Sequence, residues 1–195
     1  MKKKMTVILA GVLALAVVAP AVMAEEGAGA TSDNPVKFSY EDIDESVYEG
    51  EWVETGLGFD VYLPTEWVNV EIDDEMYEAG LVFQAGEEGG GANLTITSIP
   101  LPDEVKDTYT IDTLGTELAA SNTQAMFADL NGFPAVVFDN DTNKTGGFCM
   151  LTEDSCLITG VISPPSDDAY EDFGPYFMNI IMSVSTDSDE ETITE

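Results

Sequence analysis

The sequence of 195 residues contains no histidine and no arginine, and its six basic residues are all lysines. Without histidine, a Ser-His or Cys-His nucleophile pair is excluded, as is a zinc site with histidine ligands. Two cysteines are too few for a zinc site made of thiolates alone. Nucleic-acid binding is disfavoured because it depends on Lys and Arg to neutralise phosphates. Here 38 acidic residues give a formal net charge of −32.

The N-terminus has the pattern of a secretory signal peptide at residues 1–24. Lysines at positions 2 to 4 precede an uncharged apolar run from Met5 to Ala19, and small residues lead to a cleavage site after Ala24. The run is short for a membrane-spanning helix of about 20 residues. We therefore predict a secreted, extracytoplasmic bacterial protein that has no membrane span once the signal is removed. Cleavage would remove three of the six lysines and no acidic residue.

The remaining chain divides into three parts. Residues 25–51 are acidic and carry few apolar side chains, which predicts a linker, and we expect order to begin near Trp52. Residues 52–185 are long enough for one domain with its own core. The polar, acidic residues 186–195 predict a disordered tail.

Apolar periodicity predicts the elements of that domain. Alternating apolar residues predict strands at 59–63 and 68–72, and strand-like segments follow at 81–85, 93–99, 123–130, 133–138, 146–151 and 156–162. Asn131-Gly132 favours a tight type I′ hairpin. Apolar residues three and four apart predict helices from Thr110 to about Ser121 and from Phe173 to Val184. Short hairpins require antiparallel pairing, and amphipathic helices must cover the sheet. The prediction is an α+β fold, a single antiparallel sheet with helices packed on it in an α/β/α sandwich.

Three short motifs resemble the PsbP-like superfamily. Residues 58–64 (GFDVYLP), followed by Trp67, resemble its opening strand, Asn131-Gly132 resembles its mid-domain hairpin, and residues 180–184 (IIMSV) resemble its closing signature. The superfamily includes photosystem extrinsic PsbP subunits, a Ran-binding nuclear import factor, and bacterial exported proteins of the DcrB and LpqN types. The resemblance covers residues 57–185. It implies an antiparallel sheet between helices and an accessory or binding role without a shared active site.

These observations favour an exported, non-enzymatic binding or accessory protein that acts as a monomer and carries no cofactor. Its partner would be an unknown protein or a cell-surface component. Two alternatives stay open. A small carboxylate-based hydrolase would need a cleft with two carboxylates about 5–10 Å apart. A weak calcium-binding structural module is the other.

The calcium alternative depends on Asp139, Asp141 and Asn143, whose spacing opens a calcium-binding loop. Lys144 and Met150 stand where such a loop has a glycine and a bidentate glutamate. A polar turn is therefore the competing interpretation.

Two further sets of residues are candidates for chemistry or contact. Cys149 and Cys156 lie on one predicted hairpin, where they could form a disulfide across the strands or remain two buried thiols. The aromatic residues around the first two strands could line a partner surface or belong to the core. They are Trp52, Tyr62, Trp67 and Tyr77.

Overall fold

The computed structural model describes residues 29–186. The predicted signal peptide at residues 1–24 and all but the first residue of the predicted tail at 186–195 lie outside the described residues. Within the described range, no helix is both long enough and apolar enough to cross a membrane.

The described chain forms ten strands, three α-helices and two short 3-10 helices. The strands are β1 (Val36–Phe38), β2 (Gly50–Glu54), β3 (Asp60–Pro64), β4 (Val68–Asn69), β5 (Leu81–Gly86), β6 (Asn93–Pro100), β7 (Gln124–Leu130), β8 (Phe133–Asp139), β9 (Gly146–Leu151) and β10 (Cys156–Ser163). The helices are α1 (Asp74–Glu78), α2 (Ile111–Ser121) and α3 (Gly174–Ser183), and the 3-10 helices are Tyr40–Asp42 and Asp167–Asp172.

Eight strands form one sheet in the order β1-β7-β8-β9-β10-β6-β5-β4, while β2 and β3 pair as a separate hairpin. Neighbours in the large sheet are antiparallel except β1, which runs parallel to β7. The α+β class is confirmed, although the antiparallel sheet has one parallel edge strand and does not contain β3. The strand predicted at 68–72 is shorter than expected, because only Val68 and Asn69 pair in a ladder with β5.

Strand alternation places the two longer helices on opposite faces of the sheet. Val136 and Phe138 on β8 join Leu114 of α2 in one apolar cluster. Ala135 and Val137, the alternate residues of the same strand, join the cluster that contains α3. Each large apolar side chain buried in this way contributes about 1.5–3 kcal/mol. The sheet is therefore the middle layer of a sandwich.

Local chemistry explains where these elements begin and turn. The Thr110 side chain caps α2 by accepting a hydrogen bond from the Thr113 N–H at 3.3 Å. Asn131 and Gly132 have φ angles of 52° and 97°, the left-handed values that a type I′ turn requires. The hairpin predicted from Asn131-Gly132 is confirmed, since β7 and β8 pair from Leu130↔Phe133 outward.

The structure differs from the predicted linker at residues 25–51. In the described part of this segment, β1 joins the sheet, Phe38 and Tyr48 are buried, and β2 begins at Gly50. Two asparagines that are distant in sequence form hydrogen bonds with this segment. The Asn179 side chain accepts from the Asp44 N–H at 3.0 Å and donates to the Asp44 carbonyl at 2.9 Å. Asn131 Oδ1 accepts from the Tyr40 N–H at 2.9 Å. The segment is part of the domain.

Candidate functional site

Six aromatic side chains form a continuous row beside the β2–β3 hairpin and α3. In spatial order they are Tyr40, Trp52, Tyr62, Tyr48, Tyr176 and Phe173, and we call them the aromatic row. Successive ring centroids lie 6.3, 5.7, 5.6, 4.9 and 5.2 Å apart. All five separations fall in the range of about 4.5–7 Å in which aromatic pairs attract one another.

The hairpin fixes the centre of the row. Trp52 on β2 pairs directly with Tyr62 on β3, so their side chains share one face of the hairpin. Gly50 makes room for the Tyr62 ring, since a Cβ at this position would lie 2.7 Å from two of the ring carbons. The Gly50 N–H also donates to the Tyr62 hydroxyl at 3.0 Å.

Tyr48 is the most buried member of the row. Its hydroxyl donates to the Tyr62 carbonyl at 3.0 Å. Burial raises the pKa of Tyr48, and the neighbouring Tyr62 and Tyr176 raise it further. The phenol therefore stays neutral and keeps its donor role. The other five side chains are only partly buried, so the row presents ring surface to the outside.

Hydrogen bonds tie the three supporting elements together. Ser183 near the end of α3 accepts from the Tyr62 N–H at 2.8 Å, which joins the hairpin to that helix. Asn179 on the same helix holds Asp44, between Tyr40 and Tyr48. The ring positions are therefore set by the fold and need little ordering when a partner binds, which lowers the entropic cost of association.

The structure unites only two of the four aromatic residues predicted from the sequence. Trp52 and Tyr62 are in the row. Trp67 is buried in the core, where its Nε1 makes no hydrogen bond within the described residues. Tyr77 is exposed on α1, outside the row. The missed members of the row come from residues 40–48 and from residues 173–176 at the start of α3, and no sequence spacing relates these segments to the hairpin.

The surroundings of the row are acidic. Exposed carboxylates flank its members in sequence, namely Glu41, Asp42, Glu49, Glu51, Glu171 and Asp172. Two of the described lysines are engaged elsewhere: Lys106 pairs with Asp103 at 2.8 Å, and Lys144 stands 4.5 Å above the centre of the Tyr170 ring. The surface therefore combines aromatic faces with a negative potential, which attracts cations.

The residues considered for calcium form a turn. Asp139 is buried at the end of β8, where it accepts from the Tyr170 hydroxyl at 3.4 Å, whereas Asp141 and Asn143 are exposed. Burial raises the pKa of Tyr170, and the nearby Asp139 and Asp141 carboxylates raise it further. The Asn140 side chain accepts from the Thr142 N–H at 3.0 Å, as in an Asx turn. Among the described residues, no group of three or more acidic or cysteine side chains is placed to hold a metal ion.

Of the two states left open for Cys149 and Cys156, the structure has the free thiols and no disulfide between them. Cys149 pairs with Thr159 across the β9–β10 ladder, whereas Cys156 pairs with Pro100 of β6. The Cys149 thiol is buried 3.3 Å from the Thr159 hydroxyl, and burial raises its pKa to about 12. Since the thiolate is the reactive form, this cysteine is unreactive in the folded protein.

We expect a thiol reagent at pH 8 to label one cysteine of the folded protein quickly and the other only after unfolding. Cys156 is partly exposed and should react first, whereas Cys149 should be protected. Mass spectrometry after labelling with and without urea measures this, with Cys156→Ser as the control that should abolish the rapid phase. Failure to label either cysteine in urea without a reductant would show that a disulfide exists after all.

Several solved structures are similar to this chain, and two of them are described here. No family model matches the chain, and no curated protein matches it. The solution structure of cyanobacterial PsbP from Synechocystis sp. PCC 6803 is similar at 13% identity, covers 67% of this chain and 87% of that chain, and has a TM-score of 0.45. A crystal structure from Bacteroides thetaiotaomicron VPI-5482 is similar at 13% identity and a TM-score of 0.39, covering 73% of this chain and 50% of that chain.

Proposed function

We propose that this protein is an exported, non-enzymatic binding protein that docks a second protein through the aromatic row. The partner presents arginine side chains to the rings. The observation that carries the proposal is the row itself: six rings, each in contact with the next, five of them partly exposed, on a chain with a net charge of −32. Export rests on the signal-peptide pattern of residues 1–24.

Aromatic surfaces of this kind suit protein recognition. Tyrosine and tryptophan dominate the energetics of protein interfaces, because they bring large, rigid contact areas and lose few rotatable bonds on binding. A cation above an aromatic face contributes about 0.5–1 kcal/mol when exposed and about 2 kcal/mol when desolvated. Arginine fits better than lysine because its planar guanidinium also stacks on the ring.

The charge of the chain decides what kind of partner approaches. A chain with 38 acidic residues and no arginine steers basic proteins toward it and repels acidic ones. A second copy of this chain would bring the same negative surface, so the proposal is a monomer that binds a different protein. Association should therefore weaken as ionic strength rises.

Substitution of Trp52 by alanine is expected to weaken binding of an arginine peptide. The probe is a ten-residue peptide of alternating arginine and glycine, titrated into the protein by calorimetry at low ionic strength. We expect saturable binding that falls about fivefold in Trp52→Ala, corresponding to about 1 kcal/mol for one lost cation–π contact.

Three comparisons distinguish binding to the row from general attraction to an acidic surface. The Tyr109→Leu variant removes an aromatic ring that packs against the cluster around α2, outside the row, and should bind the peptide as the unmodified protein does. A matched lysine–glycine peptide should bind more weakly, and a glutamate–glycine peptide should not bind. Equal affinity of Trp52→Ala and the unmodified protein for the arginine peptide would refute the proposal.

A further inference from the structure

β4 forms one edge of the large sheet, opposite the edge at β1, and shares no residue with the aromatic row. β4 is the last strand of the sheet and pairs only with β5. Val68 faces Gly86, and the Val70 N–H donates to the Gln84 carbonyl at 2.8 Å. Because hydrogen bonding alternates along an antiparallel ladder, the N–H and C=O of the intervening Asn69 point away from β5. These two outward-pointing groups can form hydrogen bonds with another strand.

The same segment carries the exposed apolar surface of the molecule. In the described part of the chain, the four large apolar side chains classed as exposed are Val68 (43%), Val70 (42%), Met76 (42%) and Tyr77 (67%). All four fall within ten residues of sequence, on β4, directly after it and on α1, and both elements pack beside β5. Such grouping differs from the scattered single apolar residues of an ordinary surface.

The position of α2 explains why this surface is uncovered. Val68 and Val70 lie on the face of the sheet opposite the core residue Ala85, since side chains alternate along paired strands. That is the face on which α2 packs, but α2 contacts β7, β8 and β9 and does not reach β4. The helix that packs beside β5 is the five-residue α1, whose Met76 and Tyr77 are themselves exposed, so this part of the sheet has no long covering helix in the described part of the chain.

Charge indicates which occupant fits this edge. Residues 66–78 include six exposed acidic side chains, and the sequence has no lysine between Lys37 and Lys106. A second copy pairing edge to edge would place these like charges against each other, which is unfavourable. An extended segment with basic side chains would instead be attracted to these carboxylates.

We propose that the open edge of β4 binds an extended segment of a different protein, with alternating apolar and basic side chains, as a ninth strand of the sheet. The Asn69 backbone pairs with the segment, and its apolar side chains lie over Val68, Val70 and Tyr77. Its basic side chains meet the carboxylates of residues 66–78. This surface is separate from the aromatic row, so either proposal can fail without the other.

The test uses the full mature chain and a dye-labelled peptide of alternating lysine and valine, seven residues long, measured by fluorescence polarisation. We expect saturable binding that falls at least about tenfold in Asn69→Pro, which removes an outward N–H and leaves the pairing with β5 intact. The Asn69→Ala control should bind within about twofold of the unmodified protein, because it keeps that N–H. Asn69→Pro should lower the affinity by the same factor when Trp52 is also replaced by alanine, because the two surfaces share no residue.

A second arm uses the unmodified protein, so that it does not depend on any variant folding. An analogue of the peptide with the same side chains and charge, N-methylated at its three central residues, cannot pair as a strand. It should bind at least about tenfold more weakly. Equal binding of the methylated analogue, equal binding by Asn69→Pro, or no binding of the parent peptide would each overturn the proposal.

Discussion

Replacement of Asn179 by aspartate is expected to lower the free energy of unfolding by about 3 kcal/mol at neutral pH. Asn179 is only 1% exposed. Its side-chain amide accepts a hydrogen bond from the Asp44 N–H and donates one to the Asp44 carbonyl. Aspartate would keep the acceptor but replace the donor by a carboxylate oxygen facing the Asp44 carbonyl. The variant would bury a charge and leave that carbonyl without its partner.

The loss should depend on pH in a defined direction. Burial and the facing carbonyl both raise the pKa of the introduced carboxyl in the folded state above its value of about 4 in the unfolded chain. Protonation therefore favours the folded variant. Its stability should approach that of the native protein below about pH 4 and fall as the pH rises through the folded-state pKa.

Urea unfolding of three proteins at pH 7 and pH 3.5 measures the effect. Asn179→Ala loses both hydrogen bonds without introducing a charge, so its difference from the unmodified protein should be the same at both pH values. Asn179→Asp should be the least stable at pH 7 and should recover relative to Asn179→Ala at pH 3.5. Equal stabilities of the two variants at both pH values would show that Asn179 does not face the Asp44 carbonyl.

Substitution of Gly146 by alanine is expected to destabilise the protein by about 3 kcal/mol, at the upper end of the range for overpacked cores. Gly146 is the first residue of β9, and a Cβ at this position would overlap the ring of Phe177 on α3. Phe177 is itself buried, so its ring cannot turn into solvent. Either the helix or the strand must move.

A smaller side chain at position 177 should relieve this overlap. We expect the double variant Gly146→Ala, Phe177→Leu to be at least as stable as Gly146→Ala alone, although Phe177→Leu by itself leaves a cavity and destabilises. Gly160→Ala is the matched control, because its Cβ would meet the Phe148 ring instead. Phe177→Leu should not rescue it. Additive effects of Gly146→Ala and Phe177→Leu in urea unfolding would contradict the packing described for this site.

The elements that could be predicted from the sequence are those specified by nearby residues. Thr110 and the apolar spacing after it specify α2, and Asn131-Gly132 specifies the β7–β8 turn through its own backbone angles. Residues 40–48 could not be predicted to be ordered, because their order depends on Asn131 and Asn179, which lie 91 and 135 residues away from the groups they bind. No local pattern of an acidic segment carries that information.

The cysteine pairing shows how a single turn decides a register. Leu151 pairs with Leu157, and Ser155 in the intervening loop has a φ of 59°. This turn sets Cys149 opposite Thr159. Cys156 lies three residues before Thr159 on the same strand, so its side chain is on the other face of the sheet. The sequence spacing of the cysteines allowed a different turn, and only the loop conformation decides between them.

The candidate site was predictable only in part for a related reason. Trp52 and Tyr62 belong to adjacent strands of one hairpin, so reasoning along the chain could associate them. Tyr176 and Phe173 reach the same surface from the far end of the domain, through the packing of α3. Trp67 has the same chemistry as Trp52 but turns inward into the core.

The two hydrogen bonds between Asp44 and Asn179 join residues that lie 135 positions apart. β1 likewise pairs with β7, which is distant in sequence. Contacts of this kind give a fold a high contact order, and the entropy of closing such long loops must be lost before the contacts form. Folding of this domain should therefore be slow, and the segment that contains β1 and Asp44 should be the last to become ordered. Since Tyr40 and Tyr48 sit in that segment, the aromatic row exists only once the whole chain has folded.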